Sequence, residues 1–323
     1  MTTLDGRNLF SGVTLAALLA VYLIWGSTYL AILFAIESLP TFSMAGGRYL
    51  LAGAALYLWG RSRGGARPER RHLLPAITIG GLLLLGGNGL VVWAEHRIPS
   101  GIAALLIATE PLWIALLIPL FGAGKRASFR TFTGIAVGLV GVFVLVGGRS
   151  LGSGAVDALG AAAVILASGF WAAGSLYSIR AASPGSPWVA SGLQMLAGGA
   201  LLSITGLATG EWATFEPANV TTRSLLAFAY LVIFGSIIAF TAYSYLLRNA
   251  RPTVVSTYAF VNPIVAVLLG WAVVDEPLTW RVGVAGLFIL AALVAILRDE
   301  PEVEKVIADP DPATAEAARS CVG

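Results

Sequence analysis

Two ionisable side chains lie inside long apolar runs of this sequence, and they are its first candidates for chemistry. Arg48 interrupts one run and Glu110 another. A charge inside a membrane-spanning helix is costly, so such side chains face protein or water and mark functional sites. Glu110 could bind a coupling proton or a substrate ammonium, and Arg48 could bind a substrate carboxylate or tune Glu110. One alternative stays open: the two form a buried salt bridge that only joins their helices.

Hydroxyl, amide and aromatic side chains within the apolar runs are further candidates. Rings and hydroxyls of this kind suit a cavity for amphipathic solutes, although they also fill gaps between helices. The cavity candidates are Tyr22, Trp25, Ser27, Thr28, Trp93, Trp113, Trp171, Ser175, Gln194, Tyr243, Tyr258 and Asn262. Pro111 and Pro263 are hinge candidates, because a proline removes a helical hydrogen bond.

Enzymatic chemistry finds little support in the sequence. The histidines are His72 and His96 and the single cysteine is Cys321, and these residues lack the spacing of a metal site. The glycine-rich run near Asn88 is not followed by the lysine of a phosphate-binding loop. We therefore expect no catalytic residue, no metal and no cofactor.

The overall composition indicates that much of the chain faces lipid. Hydrophobic residues make up 57% of it and charged residues 11%, with a mean hydropathy of +0.84. A soluble globule has about a quarter of its residues charged. This composition excludes a soluble enzyme, a nucleic-acid-binding domain and a secreted disulfide scaffold.

Ten apolar runs are long enough to cross a bilayer, which takes about 20 helical residues. The fold class is therefore an all-α integral membrane protein with ten transmembrane helices. Residues 1–11 precede the first run, and residues 298–323 form a polar tail that we expect to be disordered. The runs cover residues 12–33, 41–60, 73–94, 98–122, 130–148, 158–179, 188–209, 223–247, 252–273 and 280–297.

The basic residues predict the orientation of these helices. With the N-terminus in the cytoplasm, fifteen of the 20 Lys and Arg residues fall inside and four outside, and Arg48 lies within a helix. Cytoplasmic loops of membrane proteins are enriched in these residues. Both termini are therefore predicted to be cytoplasmic.

The two halves of the chain look like copies of one five-helix unit. A shift of 146 positions lays residues 42–56 over residues 188–202 and Trp25 over Trp171. The same shift takes Arg48 to Gln194, and a shift of 152 takes Glu110 to Asn262. The units span residues 12–148 and 158–297, joined by a connector at residues 149–157. Since five is odd, the second unit is inverted, and sites in such proteins lie near the midplane between the halves.

Short motifs in order along the chain resemble the drug/metabolite transporter superfamily, EamA type. They are Trp25-Gly26-Ser27-Thr28-Tyr29, Arg48-Tyr49-Leu50-Leu51-Ala52-Gly53, Glu110-Pro111, Asn262-Pro263 and Asp275-Glu276-Pro277-Leu278-Thr279. The resemblance implies export of small metabolites or drugs across the bacterial inner membrane. It also implies a central cavity among helices one to four and six to nine, with helices five and ten peripheral. Lys125-Arg126 stands where the family often has an acidic residue.

The sequence thus predicts a secondary active transporter that exports an amino acid, a related metabolite or an amphiphilic drug by alternating access. A passive channel-like facilitator and an intramembrane enzyme are the alternatives. The expected partners are a small-molecule substrate and the lipid bilayer, with no nucleic acid. A proton is the candidate coupling ion, at Glu110. Monomer and homodimer both stay open.

Overall fold

All regular secondary structure in the described part of the chain is helical. The computed structural model describes residues 12–117, 129–146, 156–249 and 258–297, and no strand occurs among them. The predicted N-terminal segment, C-terminal tail and most of the connector lie outside these residues, as do Lys125 and Arg126. The α-helices are α1 (Gly12–Ile36), α2 (Thr41–Ser62), α3 (Arg70–Gly80), α4 (Leu90–Ala94), α5 (Ser100–Ile107), α6 (Glu110–Leu117), α7 (Phe129–Val146), α8 (Ala158–Arg180), α9 (Pro187–Ala208), α10 (Glu211–Thr214), α11 (Thr222–Tyr230), α12 (Ala239–Asn249), α13 (Tyr258–Val274) and α14 (Trp280–Leu297).

These helices follow the predicted apolar runs closely. Five segments of the described chain are long and apolar enough to cross a membrane by length and composition. They are Gly12–Ile36, Arg70–Ala94, Ala158–Arg180, Pro187–Ala208 and Thr222–Tyr243. Shorter apolar helices accompany them near the ends of both halves. The count of ten spans and the cytoplasmic termini stay predictions.

Helices α2 and α9 cross with their backbones in contact. A Cβ added to Gly53 would lie 2.9 Å from the carbonyl oxygen of Gly192, and one added to Gly199 would lie 2.9 Å from that of Gly46. The sequence alignment pairs Gly46 with Gly192 and Gly53 with Gly199. The contacts exchange the members of these pairs, as a two-fold relation between α2 and α9 requires. Small residues permit this close approach of membrane helices.

Helix α7 uses its glycine-rich face within the chain, against α14. A Cβ on Gly141 would lie 2.9 Å from Cβ of Phe288, and one on Gly138 would lie 3.3 Å from Cβ of Ala292. In the structure, α14 covers this face.

Two π-helical segments interrupt regular helix at corresponding places in the two halves. The first π segment, Gly81–Gly89, joins α3 to α4, and the second π segment, Leu231–Ile238, joins α11 to α12. A π segment widens the helix locally and is frequent at functional sites.

The predicted fourth helix is broken. Helix α5 ends at Ile107, two residues form a turn, and α6 begins at Glu110. Pro111 has no N–H to donate to the carbonyl of Ile107, four residues earlier. In a regular helix a proline ring also clashes with the carbonyl at that position. The N–H of Thr109 donates instead to Leu106 O, at 3.1 Å. Pro263, in contrast, lies within the continuous helix α13.

Candidate functional site

Three of the predicted cavity residues form one aromatic cluster: Trp25 of α1, Tyr243 of α12 and Tyr258 of α13. The Trp25 ring centroid lies 5.1 Å from that of Tyr243 and 5.4 Å from that of Tyr258. The two tyrosine centroids are 5.8 Å apart and their rings are nearly perpendicular. Tilted and edge-to-face contacts are the favoured geometries of aromatic pairs. Tyr22 packs beside the cluster, one helical turn before Trp25.

The second π segment binds the polar candidates of α1 and α2. Trp25 donates its Nε1–H to the Gly235 carbonyl at 3.2 Å, and Arg48 donates its Nε–H to Ser236 Oγ at 2.8 Å. Arg48 is only 5% exposed. Just before this segment, the hydroxyls of Tyr230 and Ser27 lie 2.7 Å apart. Three helical segments therefore meet around Gly235.

Tyr230, Gly235 and Ser236 were not among the sequence candidates. Ser236 is a lone hydroxyl in an apolar run, and such residues commonly bond to their own helix backbone. Its role is visible only because Arg48 reaches it from α2. Thr28 shows the ordinary behaviour, since its Oγ1–H donates to the Trp25 carbonyl at 2.6 Å.

Glu110 opens α6 at the break in the fourth helix. A carboxylate in the first turn of a helix is stabilised by the free N–H groups there. The side chain is half-buried, and Tyr29, Tyr243 and Tyr258 lie within electrostatic range of it. Among the described residues, no ion pair joins Glu110 to Arg48, whose Nε–H is taken by Ser236. Glu110 therefore lies near the aromatic cluster and is not ion-paired to Arg48 in the described chain.

Trp171 and Trp113 pack against glycines rather than in this cluster. A Cβ on Gly87, in the first π segment, would lie 2.9 Å from the Trp171 ring. One on Gly169 of α8 would lie 3.3 Å from the Trp113 ring. Trp25 at Gly235 and Trp171 at Gly87 are thus matching contacts, each between one half's tryptophan and the other half's π segment.

The remaining candidates lie elsewhere. Trp93 lines an apolar groove with Phe42 and Leu159, and the Arg97 guanidinium carbon lies 4.8 Å from its ring centroid. Ser175 and Gln194 are half-buried on α8 and α9.

Asn262 is 8% exposed and joins α13 to α1. With its amide nitrogen turned to the two acceptors, it donates to the carbonyls of Tyr22 at 3.2 Å and Tyr258 at 3.3 Å. These hydrogen bonds join two of the helices that carry the aromatic cluster, α1 with Trp25 and α13 with Tyr258.

Glu95 is a buried carboxyl that the sequence did not single out. It follows α4 directly and is 3% exposed, and neither carboxyl oxygen has a hydrogen-bond partner among the described residues. It lies just after the apolar run, where a charged residue looks like an ordinary loop residue. Its burial comes from packing between distant parts of the chain.

Two carboxylates on the predicted external side accept hydrogen bonds from N–H groups at the N-termini of helices. Glu276 accepts hydrogen bonds from Ser100 N and Ser100 Oγ, both at 2.7 Å, and from Gly101 N at 3.0 Å. Glu211 accepts from Phe42 N at 2.8 Å and from Ser43 N and Oγ at 3.0 Å. Charge-assisted bonds of this kind are among the stronger ones in proteins. We call these two groups the external latches, because each ties a second-half loop to a first-half helix.

Further polar contacts lie at the same end of the molecule. Arg223 pairs with Glu37 at 2.9 Å, and His96 Nε2 lies 2.8 Å from the Thr41 hydroxyl. Partial burial lowers the pKa of His96, and the nearby Glu211 carboxylate opposes that shift. The predicted external ends of the two halves are thus joined at several points.

Comparison with known proteins agrees with this architecture. The model of the EamA-like transporter family matches twice, over residues 11–147 and 158–298. The chain is 44% identical over 264 residues to the uncharacterized inner membrane transporter YedA of Escherichia coli strain K12, covering 81% of this chain and 83% of that one. It is 26% identical to protein PecM of Dickeya dadantii, over 84% of this chain and 88% of PecM. One solved crystal structure has a TM-score of 0.59 at 22% identity, covering 90% of this chain and 98% of the other, which shows a shared fold.

Proposed function

Because the chain belongs to the EamA-like transporter family and is a multi-pass inner-membrane protein, we propose that it is a secondary active exporter of a small metabolite or amphiphilic drug. The family and the names of the relatives indicate a transporter rather than an enzyme. An amino acid or a related compound is the substrate class that we favour. The two five-helix units at residues 12–148 and 158–297 would move against each other around a shared site.

The observation that carries this proposal is the convergence of α1, α2 and the second π segment beside the aromatic cluster. Trp25, Tyr243 and Tyr258 offer ring faces to an apolar or cationic group. Arg48 offers a charged donor near the same helices and Glu110 an acid. A zwitterion with an apolar side chain needs these three kinds of partner.

We assign Arg48 to the substrate carboxylate and Glu110 to the coupling proton or substrate ammonium. The absence of an Arg48–Glu110 ion pair among the described residues favours these separate roles over the structural salt bridge. The broken helix before Glu110 and Pro111 gives the fourth helix a place to bend. Pro263 has no such break around it, so Pro111 is the stronger of the two hinge candidates.

Counterflow in proteoliposomes tests this function. Liposomes are loaded with unlabelled amino acids, and uptake of labelled aromatic and neutral amino acids is measured with and without a pH gradient. We expect saturable uptake that needs internal solute. Uptake that rises linearly with solute concentration and needs no internal solute would contradict a carrier and favour a channel-like facilitator.

Pairs of matched variants test whether the transport measured by counterflow depends on the aromatic cluster and on Glu110. Trp25→Ala removes a ring of the cluster, and we expect about a tenfold loss of apparent affinity, equivalent to roughly 1.4 kcal/mol. Trp271→Ala is the control, because Trp271 is 52% exposed on the outer surface of α13. Glu110→Gln should abolish uptake that is driven by the pH gradient, whereas Glu216→Gln, at an exposed loop carboxylate, should preserve it.

A further inference from the structure

Glu95 is placed where the two halves meet at the predicted external end. It directly follows α4, which packs against α8, the first π segment and α2. Only 3% of the residue is exposed, and both carboxyl oxygens are buried without a hydrogen-bond donor in the described chain. A carboxylate in such a position loses its hydration and gains nothing in return, so the neutral acid is the favoured form.

The charged groups around Glu95 come from several elements. The Glu276 carboxylate, which accepts hydrogen bonds from the start of α5, and Arg48 of α2 both act electrostatically on Glu95. Tyr29 of α1 also lies within electrostatic range of Glu95. On the α8 side, Asp157 lies 3.7 Å from Arg97, so these two largely cancel each other. The neighbouring Glu276 carboxylate therefore opposes ionisation of Glu95, and the Arg48 guanidinium favours it.

Burial raises the pKa of the Glu95 carboxyl well above its usual range. The Glu276 carboxylate acts in the same direction, and Arg48 partly opposes it. Arg48 does not donate to Glu95, since its Nε–H bonds to Ser236 and Glu95 has no partner in the described chain.

We propose that Glu95 is an external proton-binding site whose protonation accompanies closure of the Glu276 latch. With the latch formed, Glu95 is enclosed and holds a proton. When the external side opens, water reaches the carboxyl and the proton is released to that side. Tyr29 lies within electrostatic range of both Glu95 and Glu110.

A consequence for the transport cycle follows from linkage. The closed state binds this proton more tightly than the open state, so a lower external pH shifts the population towards the closed state. This inference rests on the proposed carrier function, because it assigns Glu95 a step in that cycle. The proton-binding part can be measured without any transport assay.

Infrared spectroscopy of the purified protein tests the site directly. The C=O stretch of protonated carboxyl groups is followed from acidic to alkaline pH in the wild type, Glu95→Gln and Glu110→Gln. We expect a wild-type component that persists above neutral pH and disappears in Glu95→Gln but not in Glu110→Gln. An unchanged spectrum in Glu95→Gln would overturn the proposal, whatever the counterflow result.

A second variant covers the case in which Glu95→Gln does not fold. Glu95→Asp keeps an acid with a shorter side chain, so the persistent component should shift in frequency or in titration midpoint. An identical component in Glu95→Asp would assign the signal to another residue and overturn the proposal. Failure of counterflow with the expected infrared signal would instead count against the proposed function alone.

Discussion

Arg48 depends on one hydroxyl from another helix. Its buried Nε–H donates to Ser236 Oγ at 2.8 Å. We expect Ser236→Ala to lower the free energy of unfolding by about 1–3 kcal/mol, because it leaves a buried charged donor unpaired. The apparent melting temperature of the detergent-solubilised protein measures this. Ser178→Ala is the control, since Ser178 is exposed and should change stability by less than about 0.5 kcal/mol; equal effects of the two variants would contradict the assigned role.

Glu95 should also make stability depend on pH in a predictable direction. Its pKa in the folded protein is raised above the usual 4.5 by burial. Between the ordinary pKa and the raised pKa, the folded state therefore binds more protons than the unfolded state. The free energy of unfolding falls as pH rises through this range. We expect this fall to be smaller in Glu95→Gln. Melting temperatures across the pH series check it, and a Glu95→Gln slope as steep as that of Glu216→Gln would contradict it.

The sequence identified some site residues and missed others for physical reasons. Arg48 and Glu110 stand out because a charge within an apolar run is costly wherever it lies in the membrane. Glu95 does not stand out, because it lies at the boundary of its run and its burial requires distant segments to pack around it. The partnership of Arg48 with Ser236 spans 188 positions, which no local pattern reports.

Helices α2 and α9 depend on glycines where their backbones touch. A Cβ on Gly53 would lie 2.9 Å from both Gly192 O and Leu196 N, and backbone atoms cannot move aside cheaply. We expect Gly53→Ala to cost about 1–3 kcal/mol of stability. Gly47 is the matched control on the same helix, because its nearest neighbour is the Phe228 ring at 3.6 Å. A Gly53→Ala protein that melts together with Gly47→Ala would contradict this packing.

The Glu276 latch depends on a glycine one turn from the end of α13. A Cβ on Gly270 would overlap Oε2 of Glu276 and lie 2.8 Å from its Cδ. We expect Gly270→Ala to displace the carboxylate from Ser100 and lower the melting temperature. Gly283→Ala, with nothing within 4 Å of the added carbon, should be neutral or stabilising by up to about 1 kcal/mol. A melting temperature unchanged by Gly270→Ala would show that the latch contributes little.

Most helix bounds could be predicted from the length of the apolar runs, because the bilayer sets that length. The break before Glu110 and the two π segments could not. Proline weakens a helix both at Pro111 and at Pro263, yet only the first helix breaks. The π segments coincide with glycines that meet large side chains of another helix, such as Gly86 against Phe170. The hydrogen-bond register there is set by tertiary packing.

Several polar contacts join the two halves of the chain at one end. The latches, the Arg223–Glu37 pair and the buried Glu95 all lie at the end predicted to face outward. We infer that the structure represents a state closed on this side. In the proposed alternating-access cycle, opening this side would require both carboxylate latches to release their helix N-termini, while the predicted cytoplasmic ends of the two units close.

Two-sided accessibility of one cavity residue tests alternating access most directly. Ser27→Cys is a conservative change at a half-buried site, made in a Cys321→Ser background. Labelling by a membrane-impermeant maleimide is measured in right-side-out and inside-out vesicles, with and without Glu276→Gln. Because Glu276→Gln weakens the external closure, we predict faster labelling from outside together with slower labelling from the cytoplasmic side. Faster labelling from both sides would indicate a continuous pore, and that result would contradict the carrier mechanism.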